Sequence, residues 1–356
     1  MKQNETMNTR GDWKPFSMSR EDALEEVVRD PKLRIPFWKL NQECRERVLE
    51  FLQGTKTLPV TYDPFFKAVF HPDVHPERLS SFISSLLGIQ VKVKAILPSE
   101  DRLSDGDSLL IMDVLVELED GSLTNVEIQK VPYAFPEGRM SCYSSDLVMR
   151  QYARARGERG KHFTYRDMKK VYAIIIFERS TQIFRRVPQH YIHRGSTKFD
   201  TGLELSLLQE YCLVCLDVFR EFPYAKDKNE QTAWLSFLLT ETVEEAEKLV
   251  SEYPWLEEIY RELAMLRRKP EEVLGMFSDA LKIMDQNTVK YMIDEQQQVM
   301  NEQKQVMNEQ QKKINEQKEE LIEKDRKYEV LKTESDRKIK EQADRIRELE
   351  ALVAQK

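Results

Sequence analysis

The stretch IMDVLVELEDGSLTNVEIQ, residues 111–129, constrains this chain more than any other. Two apolar runs flank a Glu-Asp-Gly tripeptide, and each run contains a carboxylate, Asp113 in the first and Glu127 in the second. A carboxylate among valines and leucines is costly to bury unless something pairs with it. The hairpin register decides whether the two acids meet. A two-residue turn at Asp120-Gly121 sets Asp113 opposite Ile128 and Glu127 opposite Val114, which mixes charge into both faces. A three-residue loop, Glu119-Asp120-Gly121, places glycine in the left-handed position of a bulge and pairs 113 with 127 and 111 with 129. Met112, Val114, Val116, Val126 and Ile128 then form one wholly apolar face, so burial favours this register. Asp113 and Glu127 fall directly cross-strand on the other face, with Cβ atoms about 4.5–5.5 Å apart.

Two carboxylates that close raise one pKa or require a cation between them. Hard oxygen ligands with open positions for water and phosphate suit Mg²⁺ or Mn²⁺, and such an ion can activate water against a phosphodiester. Gln129 alternates back onto the face of Glu127, within reach of a water or a phosphate oxygen. The competing reading is an edge hairpin with one solvated face, on which Asp and Glu are ordinary.

Net charge is −7, which argues against a surface coated in DNA-binding charge. Between Arg139 and Lys198, however, 14 Lys and Arg stand against 4 Asp and Glu, while acid concentrates in residues 241–275. The excess is mostly arginine, the side chain that phosphate recognition prefers. The alternative is a solvated helix and loop that pairs with the acidic segment. Cys212 and Cys215 form a lone CxxC in an apolar stretch and read as buried small hydrophobes. His71, His75, His162, His190 and His193 lack zinc-ligand spacing and read as surface or loop residues. No apolar run reaches the roughly 18–20 residues of a membrane span, and the N-terminus has no apolar signal region. A cytoplasmic protein is the expectation.

Residues 1–57 read as a polar arm and helices: SMSREDALEEVV, then FWKLNQECRERVLEFLQ with Trp38, Cys44, Val48 and Leu52 near one face. DPFFKAVF and PERLSSFISSLL read as helices, VKVKAILP as a strand, and SCYSSDLVMRQYARAR as a helix stacking Tyr143, Leu147, Arg150 and Arg154. KKVYAIIIFE has the composition of a strand buried on both faces. Residues 216–285 are helical in pattern, with Trp234 and Trp255 as core residues. From 286 to 356, Met300, Met307, Ile314, Leu321 and Tyr328 recur every seven residues, while Gln303, Gln310, Gln317 and Lys324 hold the companion positions. Ile339, Ile346, Leu349 and Val353 continue the seam after a register shift. The reading is a self-associating coiled coil, with a solvated single helix as the alternative.

The ordered motifs resemble the PD-(D/E)XK nuclease superfamily, and more closely its nuclease-family transposases and recombination-promoting nucleases. Asp113 followed by Glu127-x-Gln129 is similar to the D…(D/E)xK arrangement, in the E-x-Q form. DPFFKAVF with Asp63, Phe66 and Lys67, RMSCY with Arg139 and Tyr143, and the KKVYAIIIF strand extend the resemblance over about residues 60–215. It implies an α/β, restriction-endonuclease-like core over 58–215: a mixed central sheet flanked by helices, cutting DNA with Mg²⁺ or Mn²⁺ through a metal-bound water. By matched position Asp113, Glu127 and the Ile128 carbonyl would be metal ligands, and Gln129 would stand where lysine is usual. Asp63 would be a supporting acid, and Arg139 and Tyr143 would contact phosphate or brace the site. Lys67, Arg150, Arg154, Arg156, Arg159 and Lys161 would line the DNA. Gln129 removes a positive charge, so the resemblance is also compatible with a catalytically weak DNA-binding scaffold of the same fold.

Overall fold

The computed structural model describes residues 18–71, 74–97, 114–130, 136–221 and 227–354. The N-terminal arm expected over the first residues, like Ile111, Met112 and Asp113, lies outside them. The chain opens with α1 (Arg20–Arg29), α2 (Pro31–Lys39) and α3 (Gln42–Gln53). The sequence pattern suggests one helix through Phe37 to Gln53; the structure breaks it at Leu40 and Asn41. The Asn41 side chain accepts from the Cys44 N–H and caps a new helix. Trp38 is thereby left 54% exposed, whereas Cys44, Val48 and Leu52 keep the buried face expected of them.

Next come α4 (Asp63–Val69), α5 (Pro76–Leu87) and β1 (Val93–Ile96). The hairpin strands are β2 (Val114–Leu118) and β3 (Leu123–Gln129), followed by α6 (Pro136–Arg159) and β4 (Val171–Phe177). Then follow α7 (Gln182–Arg185), β5 (Ile192–Ser196), β6 (Gln209–Cys215) and α8 (Leu216–Glu221). The last helices are α9 (Glu230–Leu239), α10 (Val243–Glu252), α11 (Glu257–Met265) and α12 (Pro270–Ala354).

The six strands form one mixed sheet in the order β1-β2-β3-β4-β6-β5. β1, β2 and β3 pair antiparallel, β3, β4 and β6 pair parallel, and β5 returns antiparallel to β6. All of β4 is buried, as a central strand covered on both faces must be. Val114 pairs with Val126, Leu115 with Asn125 and Val116 with Thr124, the register of the three-residue loop. Gly121 sits at φ 83° and donates to the Leu118 carbonyl, while the Leu118 N–H donates to the Ser122 carbonyl, both at 2.9 Å. Only glycine adopts that φ without steric strain.

Val114, Val116 and Val126 enter the larger core, which also takes residues from the N-terminal helices, α4, α5, α9–α11 and the start of α12. Trp234 is buried there among Phe70, Phe82 and Phe237. Trp255, expected in the core, is 43% exposed and meets Trp234 by its edge. The opposite face is not solvated, as a plain edge hairpin would have it. There α6 packs Tyr143 and Leu147 onto Leu115, Leu123, Val171 and Ala173. Strand alternation sends Cys212 and Cys215 to opposite faces, and burial pushes both thiols up to about 12.

The chain divides into two compact units, 1–289 and 290–356. In the second, α12 continues with Met300, Met307, Ile314, Leu321, Tyr328, Ile339, Ile346 and Leu349 exposed. The Val353 side chain lies outside the described residues. No helix among the described residues is long and apolar enough to cross a membrane.

Candidate active site

Alternation along β3 turns Leu123, Asn125, Glu127 and Gln129 toward α6. Leucine suits that interface; the other three are buried polar groups. Glu127 is 3% exposed, and its Oε1 accepts from the Arg139 guanidinium at 3.0 Å and the Tyr143 hydroxyl at 2.9 Å. Arg139 and Tyr143 lie four residues apart on one face of α6, so a single helix turn supplies both donors. The guanidinium carbon also sits 5.2 Å from the centre of the Tyr143 ring. On either side of Glu127, the amide groups of Asn125 and Gln129 find no hydrogen-bond partner among the described residues, although both side chains are buried. In native interiors most buried side-chain polar atoms have a partner, from protein or from ordered water.

The helix is held in place by further polar contacts along the same face. Gln151 donates to the Gly121 carbonyl at 2.9 Å, and the Ser144 and Tyr211 hydroxyls lie 2.7 Å apart. Arg154 meets Glu117 at 2.5 Å. These contacts hold α6 against the sheet.

At the end of β3, Lys130 ties three segments together. Its ammonium donates to Glu178 at 2.6 Å and to the Thr61 hydroxyl at 2.9 Å, and lies 3.5 Å from the centre of the Tyr62 ring. Burial pulls its pKa down and Glu178 opposes that pull. The Glu178 N–H in turn donates to the Gln129 carbonyl at 2.9 Å. Thr61 and Tyr62 lead directly into Asp63, the first residue of α4, so Lys130 sets the start of that helix against the ends of β3 and β4. The hairpin pattern does not single out Lys130: one lysine closing an apolar strand carries no sign of its partners. Asp63 itself is paired within its own helix, with the Lys67 ammonium 3.0 Å from Oδ2.

A family model described as PD-(D/E)XK nuclease family transposase matches residues 60–293. The chain belongs to this family. The match runs past residue 215, where the sequence resemblance ended, through α9–α11 and into α12. No curated protein and no solved structure matches the chain. Membership supports a nuclease or transposase type of function acting on DNA, and nucleases of this superfamily generally use divalent metals such as Mg²⁺ or Mn²⁺.

The described donors fit a hard divalent ion in part. The Glu127 carboxylate, the Ile128 carbonyl and the Gln129 amide are oxygen ligands of the type that Mg²⁺ and Mn²⁺ take, and the Gln129 amide has no partner among the described residues. No cluster of three or more His, Cys, Asp or Glu occurs among the described residues. Asp113, the acid that the sequence reading pairs with Glu127, lies outside them.

The residues expected along DNA divide into two groups. Tyr143 is buried and donates to Glu127, and the Arg139 guanidinium meets the same carboxylate oxygen. Arg150 pairs with Asp146 at 2.8 Å, and Arg154 is shared between Glu117 and Glu158. Gln151, not Arg150, follows Tyr143 and Leu147 onto the sheet. Arg156, Arg159 and Lys161 remain exposed, although Arg159 lies 3.6 Å from Asp167. The acidic segment finds partners elsewhere: Glu241 meets Arg47, Lys56 and Arg220, and Glu262 meets Arg78.

Proposed function

We propose that the chain is a Mg²⁺- or Mn²⁺-dependent DNA endonuclease of the transposase or recombination-promoting type. The observation that carries this reading is the polar stripe Asn125–Glu127–Gln129, buried beneath α6 with two amides lacking partners among the described residues. Asp113, Glu127 and the Ile128 carbonyl would hold the ion, which when bound supplies Lewis acidity toward the scissile phosphate. Tyr143 and Arg139 orient the Glu127 carboxylate through Oε1, and such supporting contacts typically hold 10–100-fold of affinity or activity. The Gln129 amide is neutral, so its part is to position a water or phosphate oxygen by hydrogen bonding, while the charge comes from the ion and Arg139. Asp63 acts as a supporting acid at the mouth of the site, with Lys130 holding the start of its helix.

The test is cleavage of plasmid DNA by the purified protein in Mg²⁺ or Mn²⁺, beside Asp113→Ala and Glu127→Ala. The expected result is nicking by the wild type alone; equal cleavage by both variants overturns the site. One observation favours a second reading, a catalytically weak DNA-binding scaffold: Gln129 stands where a lysine is usual. Metal-independent DNA binding with no cleavage under any divalent ion would select it.

The exposed seven-residue repeat of α12 supports self-association of this cytoplasmic protein through a coiled coil. Sedimentation of the full chain should show an oligomer that Ile314→Asp with Leu321→Asp reduces to a monomer.

A further inference from the structure

Where α6 ends, three aromatic rings collect at the surface. Tyr152 meets Phe163 edge-on at 5.4 Å, Phe163 meets Tyr165 at 5.6 Å, and Tyr165 lies nearly parallel to Tyr152, 21° between planes and 6.5 Å between centres. Tyr165 is 81% exposed, so its ring is offered to solvent by a group that supports it from behind. The turn that presents it is closed by side-chain hydrogen bonds. Asp167 accepts from both the N–H and the hydroxyl of Thr164, closing a capping box around Tyr165 and Arg166.

The segment that carries the rings is rich in cations. Arg156 donates to the Tyr152 hydroxyl at 2.9 Å and stands 5.8 Å from its ring centre. Arg159, Lys161, Arg166 and Lys169 occupy the same segment, and Lys161 and Arg166 make no ion pair among the described residues. The two local acids are already engaged, Glu158 by Arg154 and Asp167 by the Thr164 cap. Exposed aromatic faces within a field of positive charge are the two components by which proteins hold unpaired nucleotides. A lone exposed tyrosine would need no explanation; one backed by two further rings, in a segment rich in exposed Lys and Arg, does.

We propose that Tyr165, backed by Tyr152 and Phe163, is a stacking platform for an unpaired base, so that the substrate class is DNA carrying a single-stranded segment. This rests on the nuclease reading and narrows it. In a duplex each base face is covered by its neighbours, and a tyrosine ring has nothing to stack on; a tail, gap or flap leaves faces open. Arg156, Lys161 and Arg166 then contact the backbone on either side of the stacked base. Tyr152 follows Arg139 by 13 positions in α6, which at 1.5 Å per residue is roughly 20 Å.

The test is fluorescence anisotropy in EDTA, which prevents cleavage, with a labelled oligothymidylate of about 20 nucleotides and a blunt duplex of equal length. Wild type, Tyr165→Ala, Tyr165→Phe and Lys161→Gln/Arg166→Gln proteins are compared. Tyr165→Ala should weaken the single strand about 5- to 100-fold and leave the duplex within about twofold. Tyr165→Phe should bind as wild type, because the ring and not the hydroxyl stacks. The double Gln variant should weaken both DNAs and flatten the salt dependence. Duplex binding with no effect of Tyr165→Ala on the single strand, or an equal loss on both, overturns the platform and leaves the nuclease reading standing. Wild-type protein that binds neither DNA also overturns the platform, and plasmid cleavage in Mg²⁺ or Mn²⁺ then judges the nuclease reading separately. Because Tyr165 is exposed, urea unfolding of Tyr165→Ala should match wild type, which separates lost stacking from lost fold.

Discussion

Glu117 and Glu127 lie at opposite ends of one buried sheet face, both under α6 and both paired with an arginine from it. Near the turn, Glu117 has each oxygen matched, Oε1 to Lys94 at 3.0 Å and Oε2 to Arg154 at 2.5 Å, and its neighbour Leu115 is apolar. At the far end, Glu127 receives Arg139 and Tyr143 on the same oxygen, between two amides with no partner among the described residues. A buried carboxylate paired with arginine is therefore not by itself the mark of a site. What separates the two ends is the neighbours: Leu115 beside Glu117, and beside Glu127 the Asn125 and Gln129 amides, which have no partner among the described residues. Incomplete satisfaction inside a well-packed interface is where a ligand gains most from binding.

The largest expected difference is catalytic. Glu127→Ala should reduce metal-dependent cleavage by at least about 100-fold, since a metal's Lewis acidity contributes several kcal/mol to the transition state. Glu117→Ala should leave the cleavage rate of the folded protein within a few-fold. Comparable losses in a plasmid-nicking assay would erase the distinction between the two ends.

Stability should split in a different way. Gln129→Leu and Asn125→Leu replace buried amides lacking partners by apolar groups of similar size, a change that is neutral or stabilising by about 1 kcal/mol. The same variants should lose about 10- to 100-fold in cleavage. Urea unfolding beside the cleavage assay checks this, and a clear loss of stability would mean that these amides are satisfied in solution.

The smallest effect is the most informative about Glu117. Burial alone would raise its pKa, but the hydrogen bonds from Lys94 and Arg154 outweigh burial and hold it below the ordinary 4.5. A depressed carboxyl stabilises the fold fully above its unfolded pKa and loses that contribution as pH falls through the folded value. Glu117→Gln should thus cost about 1 kcal/mol at pH 7, a modest figure because Lys94 is half exposed and screened by water. The deficit should shrink toward zero below about pH 4. A deficit that persists unchanged in acid would show that packing, not charge, fixes Glu117.

Much of the architecture was legible in advance, for identifiable reasons. Gly121 and the alternation of Val114, Val116 and Val126 specified the hairpin register, because a shift of one residue would bury charge and expose valine. The β-branched run of β4 announced burial on both faces. β5, with Ile192 its sole large apolar side chain, gave no such signal; it exists because β6 offers it an edge. The helix break at Asn41 was equally hidden, since apolar spacing continues across it and only the cap reveals the stop.

In the hairpin, strand parity put Glu127 and Gln129 on one face, while Arg139 and Tyr143 were pointed to only by the family resemblance, on the helix that follows. Covalent spacing determines which side chains share a face, and that is written in the sequence. Which faces meet is a property of packing between distant segments. Only the tertiary structure turned Arg139 and Tyr143 onto Glu127, engaged Arg154 with Glu117, and brought Lys130 to Thr61 and Glu178. It likewise left Asn125 and Gln129 without partners among the described residues, because satisfaction of a buried amide depends on what the rest of the chain places beside it.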